Sequence, residues 1–263
     1  MSWRGKERTP FAGIWSVTAG ASELLDVAGK HERDARMGDA IGCLESAIRA
    51  ADRDQQPALL AEGLRRLAVL RHKRDERLEA RALAKRAFDV ACTAGLSGLA
   101  AEALNTLGVQ YLQTGALKEA RVAFLRALEL GDETGTLRAR VEQNLGILAN
   151  IQGEYDDAME HYRRSLEVYR MSGDDHGCAI AYHNLGMAAT DCDALDEAEL
   201  HFDRSASIAS RIGDQQLMAQ CLVSNAELDI ARQRYENARQ RAEEALALFD
   251  KLGVARGKAD AYR

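Results

Sequence analysis

Two prolines in 263 residues, Pro10 and Pro57, leave the chain almost without obligatory breakers, and aromatic residues make up only 5%. Proline interrupts helices and aromatic side chains favour strands, so the scarcity of both argues for helix throughout. No apolar run approaches the ~20 residues that span a bilayer. The opening stretch MSWRGKERTPFAGIWSVTAG carries basic side chains, but Gly and Pro interrupt every apolar segment, which makes a poor secretory signal. There is no cationic excess either. The net charge is −6 with both signs interleaved, whereas a general nucleic-acid binder needs a positive surface to displace counterions from phosphates. The five cysteines, Cys43, Cys92, Cys178, Cys192 and Cys221, are odd in number and show no C-x-x-C spacing. Reduced thiols packed as small apolar groups in a cytoplasmic protein are expected.

Catalytic constellations are missing as well. The stretch GVARGKA at 253–259 has one residue too few between its glycines for a phosphate loop, and Ala259 stands where Ser or Thr would ligate magnesium. HERDA at 31–35 is not the paired-histidine zinc motif. DCDALDEAE at 191–199 is acidic but lacks the glycine and ligand spacing of a calcium loop. Acids there, on an inter-helix turn, favour the N-terminus of the following helix. His161 and His201 recur at equivalent positions, which points to a structural surface role. The expectation is a non-catalytic chain with no cofactor and no metal.

What the chain does have is a period. NTLGVQYLQTGALKEARVAFLRAL (105–128), QNLGILANIQGEYDDAMEHYRRSL (143–166) and HNLGMAATDCDALDEAELHFDRSA (183–206) align without a gap. Their small residues Gly108, Gly146 and Gly186 are spaced 38 and 40 apart, and steps of 40 reach Ala226 in one direction and Ala68 and Ala28 in the other. Twelve residues after each lies an alanine: Ala40, Ala80, Ala120, Ala158, Ala198 and Ala238. Four further on come Leu44, Ala84, Phe124, Tyr162, Phe202 and Ala242. Each copy divides into two amphipathic helices, here termed A and B, with apolar residues at i, i+3, i+4 and i+7. In the fourth copy the pattern predicts helices over 137–151 and 155–171, broken at Gly153, with Gly173 closing the second and Asp174 capping the next. The small columns fit helices whose axes approach to ~8 Å, and Leu in place of Gly146 should overpack that contact by about 1–3 kcal/mol.

This pattern resembles the tetratricopeptide repeat. Leu107, Gly108, Tyr111, Gly115, Ala120, Phe124 and Ala127 match the motif completely, copies four and five match well, and copies one, two and six keep the small and apolar columns only. The usual Trp and closing Pro are absent, and the period is about 40 rather than the common 34, as in kinesin light chains, cell-polarity adaptors and many bacterial regulators. The resemblance covers residues 21–263, behind a flexible tail over 1–20, and implies an all-α, right-handed superhelical solenoid of antiparallel helix pairs. It also implies a concave groove, lined by the first helix of each pair, that takes an extended peptide or a partner helix. Candidate groove residues are Arg65, Arg66, Lys73, Asn105, Thr106, Arg140, Gln143, Asn144, Asn150, His183 and Asn184. Asn144 and Asn184 stand where relatives often hydrogen-bond a peptide backbone, and an amide offers both donors and an acceptor. Arg65, Arg66, Lys73 and Arg140 would make one half of the groove basic, suited to an acidic or carboxylate-bearing peptide.

Two functions follow as expectations. One is a protein-interaction scaffold. The other is a regulatory module of a larger bacterial signalling protein, acting on a cyclase, phosphohydrolase, kinase or transcription regulator. Another step of the period places a small residue at position 266, so ARGKADAYR reads as the first half of a seventh A helix and the chain as part of a longer polypeptide. If not, the last helix would fray or pair with a second copy as a homodimer through the open end. No nucleic acid and no membrane are expected as partners.

Overall fold

The computed structural model describes residues 20–131 and 135–253. The tail expected over 1–20, except Gly20, its side chains Trp3, Phe11 and Trp15, and the expected seventh helix lie outside the described residues. The described residues form twelve α-helices and no strand, in two compact units that meet between Leu99 and Ala100. The first unit holds α1 (Ala21–Arg33), α2 (Met37–Arg53), α3 (Pro57–Lys73) and α4 (Arg77–Thr93). The second takes in nearly all of α5 (Ser97–Gln113), then α6 (Leu117–Leu130), α7 (Thr136–Ile151), α8 (Tyr155–Ser172), α9 (Asp175–Asp191), α10 (Leu195–Ile212), α11 (Gln215–Ala231) and α12 (Tyr235–Leu252). Within each unit consecutive helices pack on one another. Most are joined by turns of only a few residues, which forces neighbours to run antiparallel. No helix of the described residues is long and apolar enough to cross a membrane.

The turns repeat as faithfully as the helices. At the A-to-B turn of every copy one residue is left-handed: Ala35, Asp75, Gly115, Gly153, Asp193 and Gln233. Asp tolerates that conformation; Ala and Gln pay for their Cβ. Gln233→Gly and Ala35→Gly should therefore each stabilise the chain by about 0.5–1 kcal/mol, read as a higher urea midpoint; an unchanged or lower midpoint counts against it. At the B-to-A turns Gly173 (φ 68°) and Gly213 (φ 74°) close α8 and α10, and the following Asp174 and Asp214 accept from the amides of Gly177 and Leu217 at 2.8 and 3.0 Å. These caps stand where the sequence puts them.

The core lies between A and B helices. Leu67, Leu107, Leu145 and Leu185 are buried in one column. The adjoining small column has a more specific cause than close helix axes. A Cβ built on Gly108, Gly146 or Gly186 would come within 2.4–2.5 Å of the ring of Phe124, Tyr162 or Phe202, the aromatic residue of the same copy. Where the small residue is Ala28, Ala68 or Ala226, the facing column holds Leu44, Ala84 or Ala242 instead. Bulk gained on one helix is given up on the other. The same exchange joins copies: Gly177 faces the Tyr169 ring, and forty residues on, Leu217 packs against Ala209. Burial raises the Tyr162 phenol above its ordinary range and pushes Tyr169 up to about 12.

All five cysteines are free. Cys43, Cys178 and Cys221 are buried as small core groups, and burial pushes Cys221 up to about 11. Cys92 and Cys192 are exposed, against the expectation of packed thiols; both sit at the outer ends of helix hairpins, where no neighbour covers them.

Candidate functional site

The basic candidates of the first unit line a cleft of about 440 Å³ on α3, walled also by Glu32, Met37, Val69 and Leu70. Their charge is not free, contrary to the simple reading of a basic groove. Arg65 donates through Nε and Nη2 to Glu62, one turn earlier on the same helix, at 2.8–3.0 Å. Arg66 crosses to α1, where it donates to Glu32 at 2.8 and 3.1 Å and to the Leu25 carbonyl at 3.0 Å. Gly29 makes room for it, since a Cβ there would lie 3.3 Å from Nη2. Lys73 is exposed, with no carboxylate within 4 Å among the described residues. In the second unit Arg140 holds Glu102. Local carboxylates, not visible from the arginines alone, neutralise three of the four cations.

The polar candidates of the second unit form a ladder across α5, α7, α9 and α11. Asn144 Nδ2 donates to Asn105 Oδ1 at 2.9 Å. His183 Nε2 lies 3.2 Å from Ser224 Oγ, which makes the same rung two copies on. Ser224 Oγ in turn approaches Met187 Sδ at 3.8 Å. A serine donating to that sulfur accepts from His183, which places a proton on Nε2. Burial pushes His183 down to about 4, and its ring packs against Phe202 with centroids 5.3 Å apart. The middle rung is not made. Gln143 Oε1 accepts from the Tyr169 hydroxyl at 3.3 Å, and Asn184 Nδ2 is buried without a partner. Asn105 and Thr106 are buried, Thr106 bonding back to the Glu102 carbonyl. Further along, Asn150 Nδ2 donates to Asp191 at 2.8 Å while its Oδ1 is buried and unpartnered. Asn184 Nδ2 and Asn150 Oδ1 are thus left without protein partners, as are Gln110 Nε2 and Oε1 on α5 and Asn225 Oδ1 on α11.

Sequence reasoning missed two ion networks. Asp229 is fully buried, with Arg234 at 2.9 Å and Arg241 at 2.8 Å. At the same repeat position in copy two stands Arg71, held by Glu45, Glu76 and Glu79 at 2.5, 2.7 and 3.4 Å. The Arg71–Glu76 and Asp229–Arg234 pairs occupy identical positions with the charges exchanged. The signal was a charge in a column that elsewhere holds His31, Tyr111, Ala149 and Ala189. The acidic stretch 191–199 is likewise engaged: Asp196 and Glu199 hold Arg232, and Glu197 lies 3.4 Å from His201. His161 is half-buried against the buried Glu142 at 2.7 Å rather than simply on the surface. Among the described residues no three His, Cys, Asp or Glu side chains are grouped to hold a metal.

Two overlapping stretches, 99–171 and 135–191, match the model of the tetratricopeptide repeat. Residues 99–191 thus carry tetratricopeptide repeats. Among curated proteins, the regulatory protein AfsR of Streptomyces griseus is 29% identical over 139 residues, 49% of this chain and 14% of AfsR. The Photosystem I assembly protein Ycf3 of Synechococcus elongatus is 27% identical over 103 residues, 36% of this chain and 60% of Ycf3. The repeat array thus spans less than two thirds of both. Among solved structures, a Rap protein complexed with competence and sporulation factor superposes with a TM-score of 0.71 at 15% identity, over 92% of this chain and 73% of that one. Likeness at that identity speaks for the fold.

Proposed function

We propose that the chain is a non-catalytic protein-interaction module that holds an extended peptide along the A helices of its second unit. The observation that carries this reading is the interrupted ladder. Asn184 Nδ2 and Asn150 Oδ1 are a buried donor and a buried acceptor without partners, and leaving such groups unpaired costs about 1–3 kcal/mol each. A peptide group supplies both complements. In the first unit the Arg65 and Arg66 pairs are partly exposed, and pairs of that kind contribute roughly 0–1 kcal/mol. A ligand carboxylate exchanging with Glu62 or Glu32 is therefore inexpensive, and Lys73 adds an open charge. The peptide preferred there is acidic.

The test is selection from a random-peptide display library, followed by affinity measurement on the recovered peptides. Asn144→Ala with Asn184→Ala should weaken binding about tenfold with an unchanged circular dichroism spectrum. Undiminished affinity overturns the reading. A second reading, a regulatory arm of a larger chain, is favoured by the similarity to AfsR, a regulatory protein of which the matched part is 14%; on that reading the same peptide face receives the signal.

A further inference from the structure

Arg170 on α8 and Arg204 on α10 converge on a single ring of α9. Their guanidinium carbons lie 5.5 and 5.6 Å from the centroid of Tyr182. Arg170 Nη2 also donates to the Tyr182 hydroxyl. The ring itself is 6% exposed, so its position is set by the core. Both arginines are exposed. Elsewhere in the unit Arg121, Arg138, Arg140, Arg211, Arg232 and Arg241, among others, each hold a carboxylate. No carboxylate lies within 4 Å of Arg170 or Arg204 among the described residues. Asp175 is held in a two-bond fork by Arg211, Asp174 caps α9, and Glu197 lies against His201, while Glu167 and Asp203 on the arginines' own helices come within 4 Å of neither.

We propose that Arg170, Arg204 and the Tyr182 hydroxyl form a binding site for a phosphoryl group. Two guanidinium groups within 5.6 Å of one ring centroid gather positive charge about it, which an anion offsets. Their planar forks suit tetrahedral oxyanions, and two positive charges match a dianion better than a single carboxylate. Because the Tyr182 oxygen accepts from Arg170, its own proton is left to donate to the anion. The three donors come from three helices rather than a mobile loop, and the buried Tyr182 ring anchors the site. This site is separate from the ladder: the arginines project from B helices, and removing them leaves Asn144 and Asn184 untouched. The chemistry is that of a phosphorylated side chain on a protein partner or of free phosphate.

His201 reports on the site. Its ring lies 5.9 Å from that of Tyr182. Burial depresses its pKa, the positive field of Arg204 on α10 and Arg163 on α8 depresses it further, and Glu197 on its own helix opposes them. An anion bound between the arginines cancels part of that field. The experiment is an NMR titration of the histidines of the full chain against pH, in sodium chloride and in sodium sulfate at equal ionic strength. Sulfate serves as a dianion that does not itself titrate. His201 should titrate about half a pH unit higher in sulfate, while His176, beside Asp214, should not move. Arg170→Gln with Arg204→Gln should abolish the response, and the charge-keeping pair Arg170→Lys with Arg204→Lys should retain part of it. The same resonance then compares a phosphoserine tetrapeptide, its unphosphorylated form and inorganic phosphate. Tighter binding of the phosphopeptide by tenfold or more assigns the site to a protein partner; equal affinity with inorganic phosphate assigns it to the free anion. No response in the parent chain, or the same response in the Gln double variant, overturns the proposal.

Discussion

Gly146→Leu should destabilise the chain by about 3 kcal/mol, the upper end of the range for overpacking. The reason is not the crossing of helix axes but one ring. A Cβ at Gly146 would already stand 2.5 Å from Tyr162 Cε1, and the ring is 3% exposed within a cluster that includes Leu166, Tyr169 and Leu185. It has nowhere to go. Even Gly146→Ala, which gains about 1 kcal/mol of helix propensity, should lose stability on balance. The paired columns supply the repair. Ala28 faces Leu44 and both are fully buried, so Gly146→Ala with Tyr162→Leu rebuilds an arrangement the chain already uses. Tyr162→Leu alone should cost about 2 kcal/mol through the space it leaves. The double variant should recover about 1–2 kcal/mol relative to the sum of the singles. Urea denaturation followed by circular dichroism measures all four. An unchanged midpoint for Gly146→Leu, or strict additivity in the cycle, would show that the ring is free to move.

These columns show what the sequence made legible. Period, helix bounds, Gly173 and Asp174 follow from spacing and local backbone chemistry, and both helices of the fourth copy fall within a residue of their expected limits. Local rules suffice there because a cap involves neighbours in the chain. The small and aromatic columns were equally visible, but their mutual contact was not, since sixteen residues of chain and a turn separate Gly146 from Tyr162. The candidate site fared the same way. Asn144 and Asn184 were identifiable as one repeat position, and Gln143 and His183 as the one before it. Which rung would close depended on Tyr169, 26 residues from Gln143, drawing that amide away. The basic half was misjudged because Arg66 finds Glu32 on another helix, 34 residues distant. Asp229 escaped notice because a single acid in a helical stretch ordinarily faces water; only the two arginines of the following turn and helix explain its burial.

Acid should weaken the second unit through His183, by about 2 kcal/mol between pH 8 and pH 5. Burial lowers its pKa from 6.5 to about 4 in the folded chain. The unfolded chain therefore takes up a proton as pH falls through about 6.5, while the folded chain resists until about 4. The stabilisation is whole above the unfolded pKa and drains away between the two, reaching about 3 kcal/mol lost at the lower limit. Protonation would place a positive charge against the Phe202 ring and Ser224, with no carboxylate bonded to the imidazole to receive it. Carboxylates held low by arginines, such as Asp175 and Glu199, add their own loss only at more acid pH. His183→Gln separates the two effects, because Gln143 already occupies the equivalent position one copy earlier. The variant should give a stability profile that falls clearly less than the parent's from pH 8 to pH 5, the remaining slope coming from His201, whose pKa burial also lowers. Parallel profiles across this window would mean that His183 takes up its proton without leaving its place in the ladder, and that the rung to Ser224 is open to water.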